Sequence, residues 1–191
     1  FLSVRRFVRD TLNSNVLMCP STRLTSFFEL HAAREYDVFS STDWRSGANS
    51  MLVEQYGGTI YAAAQNHVKG KAFVVSNAST AYPLDYQSEL MTVLPAYAGL
   101  QDWDGIFFGI FAESPRAGAS RADSNSYWNL FDKPNVLSLF PLTSAMMRRG
   151  DVVPSVKEIV IDNVQEAIDQ PRFHVQQAFS LSISPDARMP L

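Results

Sequence analysis

Lys71-Ala72-Phe73-Val74-Val75-Ser76, opened by Gly70 and followed by Asn77, is the clearest strand of this chain. Gly105-Ile106-Phe107-Phe108-Gly109-Ile110-Phe111 is its downstream counterpart. Both are short apolar runs rich in β-branched or aromatic residues, the composition of strands rather than of helices. The second is apolar without alternation, as a strand of a parallel sheet buried on both faces is. Between the two, Asp85 or Ser88 caps a helix predicted to run to about Gln101, with Pro95 inside it as a kink. Strand, helix and strand in that order make a βα unit.

The same rhythm extends outward. Upstream, Tyr36-Asp37-Val38-Phe39-Ser40-Ser41 reads as a strand, and Asn15-Val16-Leu17-Met18-Cys19 before Pro20 as another, buried one. Residues 1–12 place Leu2, Val4, Phe7, Val8 and Leu12 on one helix face, and Ser26 to Arg34 forms a short helix. From about Ser50 to Val68 the spacing of Leu52, Tyr56, Ile60 and Ala64 is helical, weakened by Gly57-Gly58. Downstream, Glu113 to Ser126 is a polar loop, Pro134 opens a helix and Gly150 ends it. Four strands, each followed by a helix, predict an α/β fold with a parallel sheet. Phe107, Phe108, Phe111, Phe140, Met146 and Met147 are its expected core. After Pro154 the pattern changes. Val156 to Ile161 alternates like an exposed strand, and the polar residues 162–191, with Pro171, Pro185 and Pro190, read as a β-type extension. The division is therefore 1–153 and 154–191.

Composition narrows the function classes. The chain has 191 residues, 46% hydrophobic and 18% charged, which is globular. A net charge of -3 argues against nucleic acid as a partner, which draws a basic stripe. The basic clusters, Arg5, Arg6 and Arg9, then Arg148 and Arg149, read as solvated faces or basic last turns of helices. Cys19 is the sole cysteine and is expected as a small buried hydrophobe. No stretch reaches the ~18 continuous apolar residues of a transmembrane helix. The chain opens without Met inside a helical pattern, as a processed or partial chain does, so an upstream targeting signal remains open. His31, His67 and His174 are far apart, and no metal or other cofactor is implied. Ser40-Ser41 and Ser76 lack a Gly-x-Ser-x-Gly context, and Gly57-Gly58 makes no phosphate loop. Asn77-Ala78-Ser79 fits the glycosylation acceptor pattern, a short motif common by chance.

Three segments together carry a resemblance. They are Gly70 to Asn77; Asp85-Tyr86-Gln87-Ser88-Glu89 leading to Ala96 through Trp103-Asp104-Gly105-Ile106-Phe107; and Phe131-Asp132-Lys133-Pro134 leading to Met146 through Val152. In this order the chain resembles the last strands and helices of bacterial cellulase- or β-galactosidase-like glycosidases of the retaining clan. The resemblance covers about residues 1–160, and it implies the carboxyl-terminal half of a (β/α)8 barrel. A whole barrel takes roughly 250 residues. It also favours a periplasmic or extracellular setting.

Residue by residue, the resemblance then fails where hydrolysis needs it. The strand at 71–77 would end in the nucleophilic glutamate, and Asn77 stands there. An amide lacks the charge that forms a glycosyl-enzyme bond. Thr42 and Trp44 occupy the positions of a sugar-facing His and Tyr, counted from Asp37. The acid/base glutamate would lie upstream of Phe1. Asp43, Asp85, Glu89 and Glu113 fall near the carboxyl ends of strands, with Glu113 the best replacement carboxylate and a loop or capping role its plainer reading. An inverting pair needs roughly 6.5–9.5 Å between carboxyl groups. Trp44, Tyr82, Tyr127 and Trp128 fall on the same expected face as apolar platforms for sugar, or as rings plugging a disused pocket. Substrate-binding candidates are thus Trp44, Asn77, Tyr82 and Trp128. The leading expectation is a glycosidase-like subunit without hydrolysis, completed by another polypeptide. The alternatives are an active hydrolase with its amino-terminal half upstream and a carbohydrate-binding module.

Overall fold

The computed structural model describes residues 2–20, 29–30, 33–42, 44–45, 51, 63–64, 66–111, 129–131, 133–163 and 180–188. Leu2–Arg6 forms a helix, α1, that widens into a π-turn over Phe7–Thr11. Arg9 on that turn is no member of a solvated face. Its guanidinium donates to Asp37 Oδ2 at 2.6 Å and to Ser14 O at 2.7 Å. The same Asp37 oxygen accepts the Met18 N–H at 2.9 Å, while Met18 O accepts the N–H groups of Asp37 and Val38. Residues 15–19 are tied to the sheet through Met18 and do not form the expected buried strand: Val16 and Leu17 stand exposed. Cys19 is likewise exposed rather than a buried hydrophobe, its Sγ 3.3 Å from Ser40 Oγ.

The sheet follows: β1 (Val38–Ser41), β2 (Trp44–Arg45), β3 (Ala72–Thr80), then the helix α2 (Glu89–Leu100) and β4 (Gly105–Phe108). β3 is central. β1 and β4 pair with its opposite edges, both reaching Val74 and Val75, and β2 pairs with its last two residues, all parallel. Registers run from Val38–Ala72 to Ser41–Val75 on one side and from Val74–Gly105 to Ser76–Phe107 on the other. Both registers slip by one residue further along β3. The β4 ladder skips Asn77, resuming at Ala78–Phe108, and β2 re-enters at Trp44–Ser79. Asn77 is the extra residue of a β-bulge, with φ 78°.

One sheet face carries the core. Phe39, Phe73 and Val75 are buried against Leu90, Leu94 and Ala98 of α2, and Trp103 meets the Phe73 ring edge-on at 5.1 Å. Strand alternation sends Phe107 to the other face, where it is 62% exposed. Phe111 and Phe140 are exposed too, so these three expected core residues are not core. Phe108 and Met147 do pack on the buried clusters.

Helix α2 runs through Pro95, whose missing N–H leaves the carbonyl of Met91 without its intrahelical donor. The buried Thr143 hydroxyl donates to that carbonyl instead. Thr143 lies on α4 (Phe140–Arg149), which packs against α2 and follows the single turn α3 (Pro134–Leu137). The sequence reads as one helix from Pro134. Pro141 breaks it, because proline fits only a first turn. Gly150 closes α4 in the left-handed conformation at φ 65°. Where α2 meets the segment after α4, a Cβ on Gly99 would lie 2.9 Å from Val152 Cβ, so only glycine lets the two backbones approach. Beyond, β5 (Glu158–Asn163) and β6 (Ser180–Arg188) pair in parallel as a separate two-stranded sheet. The molecule is thus an α/β protein with a parallel central sheet.

Candidate functional site

Parallel strands all present their carboxyl ends at one edge, and ligands of such sheets bind there. Here that end gathers Ser41 at the end of β1 and Thr42 after it, residues 77–80 of β3, and Gly109 after β4. Asn77 is set by the bulge. Asparagine tolerates a positive φ better than most residues, so its place at the end of an apolar strand marks a backbone irregularity. Its side chain lies over Gly109: a Cβ built on Gly109 would come 2.5 Å from Asn77 Oδ1. Gly109 N–H donates to Ala78 O at 3.1 Å, which locks the two strand ends together. Asn77 is half-buried, and no hydrogen bond holds its amide among the described residues.

Behind it stands a group of buried polar side chains that sequence reasoning missed. Lys133 is buried, and its Nζ donates to Thr80 O at 2.6 Å. Gln87, also buried, donates to Ala81 O at 2.9 Å and accepts from Asn135 Nδ2 at 3.3 Å. Thr80 Oγ1 is buried with no hydrogen-bond partner among the described residues. Together these bonds anchor the turn after β3, from which Tyr82 projects 63% exposed at a cis Tyr82–Pro83 peptide.

Of the other expected site residues, Trp44 enters β2 opposite Ser79. Asp85 is exposed and Glu89 opens α2, where a carboxylate suits the helix dipole. Asp43, Glu113, Tyr127 and Trp128 lie outside the described residues. Asn77 and Tyr82 thus come from the same strand end, and no described carboxylate joins them as a pair. Among the described residues no three His, Cys, Asp or Glu side chains form a metal-holding group.

A groove of about 760 Å³ opens at the opposite, amino end of the sheet, lined by His67, Lys71, Trp103, Asp104 and Ser155 among others. Size alone would favour it. Three of its charged side chains are already engaged, however: Lys69 pairs with Glu158 at 2.8 Å, and Asp104 Oδ2 accepts the Phe73 N–H at 2.7 Å. In parallel α/β sheets ligands bind outside the carboxyl ends of the strands, not at their amino ends. We therefore take the carboxyl end as the candidate site.

Fold and site define an α/β protein with a polar strand-end site centred on an amide. Compared with family models, curated proteins and solved structures, the chain finds no match.

Proposed function

We propose that this chain is the carboxyl-terminal half of a glycosidase-like (β/α)8 barrel that has lost hydrolysis and serves as a saccharide-binding or structural subunit. The observation that carries this reading is Asn77, an amide on a bulge in the carboxyl-terminal half of the central strand. The resemblance puts a nucleophilic carboxylate at this position. An amide cannot form the glycosyl-enzyme bond, but it offers a donor and an acceptor to sugar hydroxyls. Strand order supports the barrel half. β1, β3 and β4 neighbour one another in chain order, α2 and α4 lie together on the core side, and the opposite face carries the exposed Phe107. A doubly wound sheet would reverse its strand order and cover both faces.

The test is titration calorimetry with β-linked gluco- and galacto-oligosaccharides, alongside hydrolysis of aryl β-glycosides. Saturable binding without turnover is expected. Asn77→Ala should weaken binding about 3- to 10-fold, the worth of one or two hydrogen bonds. Gly109→Ala should do the same indirectly, because its Cβ displaces the Asn77 amide. Turnover by the purified chain, or saccharide affinity indifferent to both substitutions, overturns the reading.

A further inference from the structure

The face of β4 turned away from the core presents Gly105, Phe107 and Gly109, a phenylalanine between two glycines. Ile106 and Phe108 alternate with them on the packed side and lie against the buried clusters, while Phe107 is 62% exposed. In the parallel register Phe107 pairs with Ser76, the residue before the bulge. Paired residues of neighbouring strands share a face, so Ser76 joins Phe107 there, its hydroxyl donating to Ser41 O at 3.2 Å. Each glycine makes room for a neighbour. A Cβ on Gly105 would lie 3.8 Å from Phe107 Cε2, so the ring leans over residue 105, and a Cβ on Gly109 would meet Asn77 Oδ1 at 2.5 Å. The Gly109 N–H carries the ladder on to Ala78 O. The Phe107 ring and the Asn77 amide therefore lie on one face, rooted at positions of β4 two residues, or about 7 Å, apart.

We propose that Phe107 is the apolar platform of the saccharide site whose polar member is Asn77, and that this site takes an uncharged sugar. The inference rests on the saccharide-binding reading of the carboxyl end and names the surface against which the sugar packs. A pyranose carries C–H groups on a ring face and hydroxyls around its rim. An aromatic face covers the first, and an amide, both donor and acceptor, meets the second. A ring alone would suit any apolar partner. The amide beside it, held by no hydrogen bond among the described residues, selects a ligand with hydroxyls. Ser76, Asn77, Gly105, Phe107 and Gly109 carry no charge, so a uronate seated on them would lose hydration without gaining a counter-charge.

Titration calorimetry of the full chain with β-linked gluco- and galacto-oligosaccharides, and with their uronic acid counterparts, tests it. Phe107→Ala and Phe107→Leu should each weaken binding of the neutral sugars on the order of tenfold. Phe107→Tyr, which keeps the ring, should restore most of that affinity. Circular dichroism should be unchanged throughout, since the side chain is exposed. Should a truncation fail to fold, proton NMR of the unaltered chain decides: NOEs from a phenylalanine ring to the sugar C–H protons are expected, and their absence overturns the platform. Affinity that falls in Asn77→Ala but not in Phe107→Ala or Phe107→Leu overturns the platform and leaves the proposed function standing. Equal binding of the uronic acid counterparts overturns the uncharged class. No saccharide binding by the unaltered chain overturns both this inference and the reading beneath it.

Discussion

The two faces of the central sheet are built from the same strands and differ by one residue of register. Phe73 and Val75 alternate with Val74 and Ser76 along β3, and Ile106 alternates with Phe107 along β4. On one face the rings and branched side chains are enclosed by α2, His67 and Trp103. On the other, Phe107 of β4 faces outward. Apolar residues occur on both faces, so burial is decided by which layer packs on each. An apolar residue in a strand signals a surface meant to be covered, and only the assembled layers say which covering is present.

The sharpest way to break this comparison is to truncate one ring on each face. Phe73→Ala removes a fully buried ring and should cost about 3–5 kcal/mol, lowering Tm by on the order of 10 °C. Phe107→Ala should stay within ~0.5 kcal/mol, because that ring is 62% exposed. Denaturant titration reads both. Comparable losses at the two sites would mean that the Phe107 face is covered after all.

A second pair of variants asks how the packed face holds together. Thr143→Val leaves the Met91 carbonyl buried without a donor and should cost about 1–3 kcal/mol. In a Pro95→Ala background residue 95 regains an N–H for that carbonyl, so the same change should cost less. Equal costs in the two backgrounds, measured as a double-mutant cycle, would show that the hydroxyl does not substitute for the missing backbone donor.

The smallest effect belongs to the rim. Glu158→Gln breaks an exposed pair with Lys69 and should shift stability by only ~0–1 kcal/mol, less still in high salt. A larger loss in thermal melts at low and high salt would make the amino-end groove a structural centre rather than a solvated edge.

Much of this fold was legible in the residues. The apolar run before Asn77 marks β3, the run after Gly105 marks β4, and the spacing from Ser88 to Gln101 marks α2 with its internal proline. Gly150 marks the end of α4. Other features were present in the sequence but overlooked. Pro141 signals a new first turn inside what reads as one helix, and an asparagine within a strand run signals a left-handed residue. The site was less legible still. Asn77 and Tyr82 follow from the end of one strand. Lys133 reaches Thr80 across 53 positions of chain, a contact that no local pattern encodes.

Composition and periodicity by themselves determined the α/β class and the parallel βα alternation. Those properties depend on residue type and on near neighbours along the chain. Tertiary structure alone decided that Arg9 turns inward to Asp37, that Thr143 completes the hydrogen bonding of a helix not its own, and that Phe107 is left outside. Each depends on which distant surface arrives at a given side chain. A strand's period of two separates its residues into two faces without naming what will lie against either.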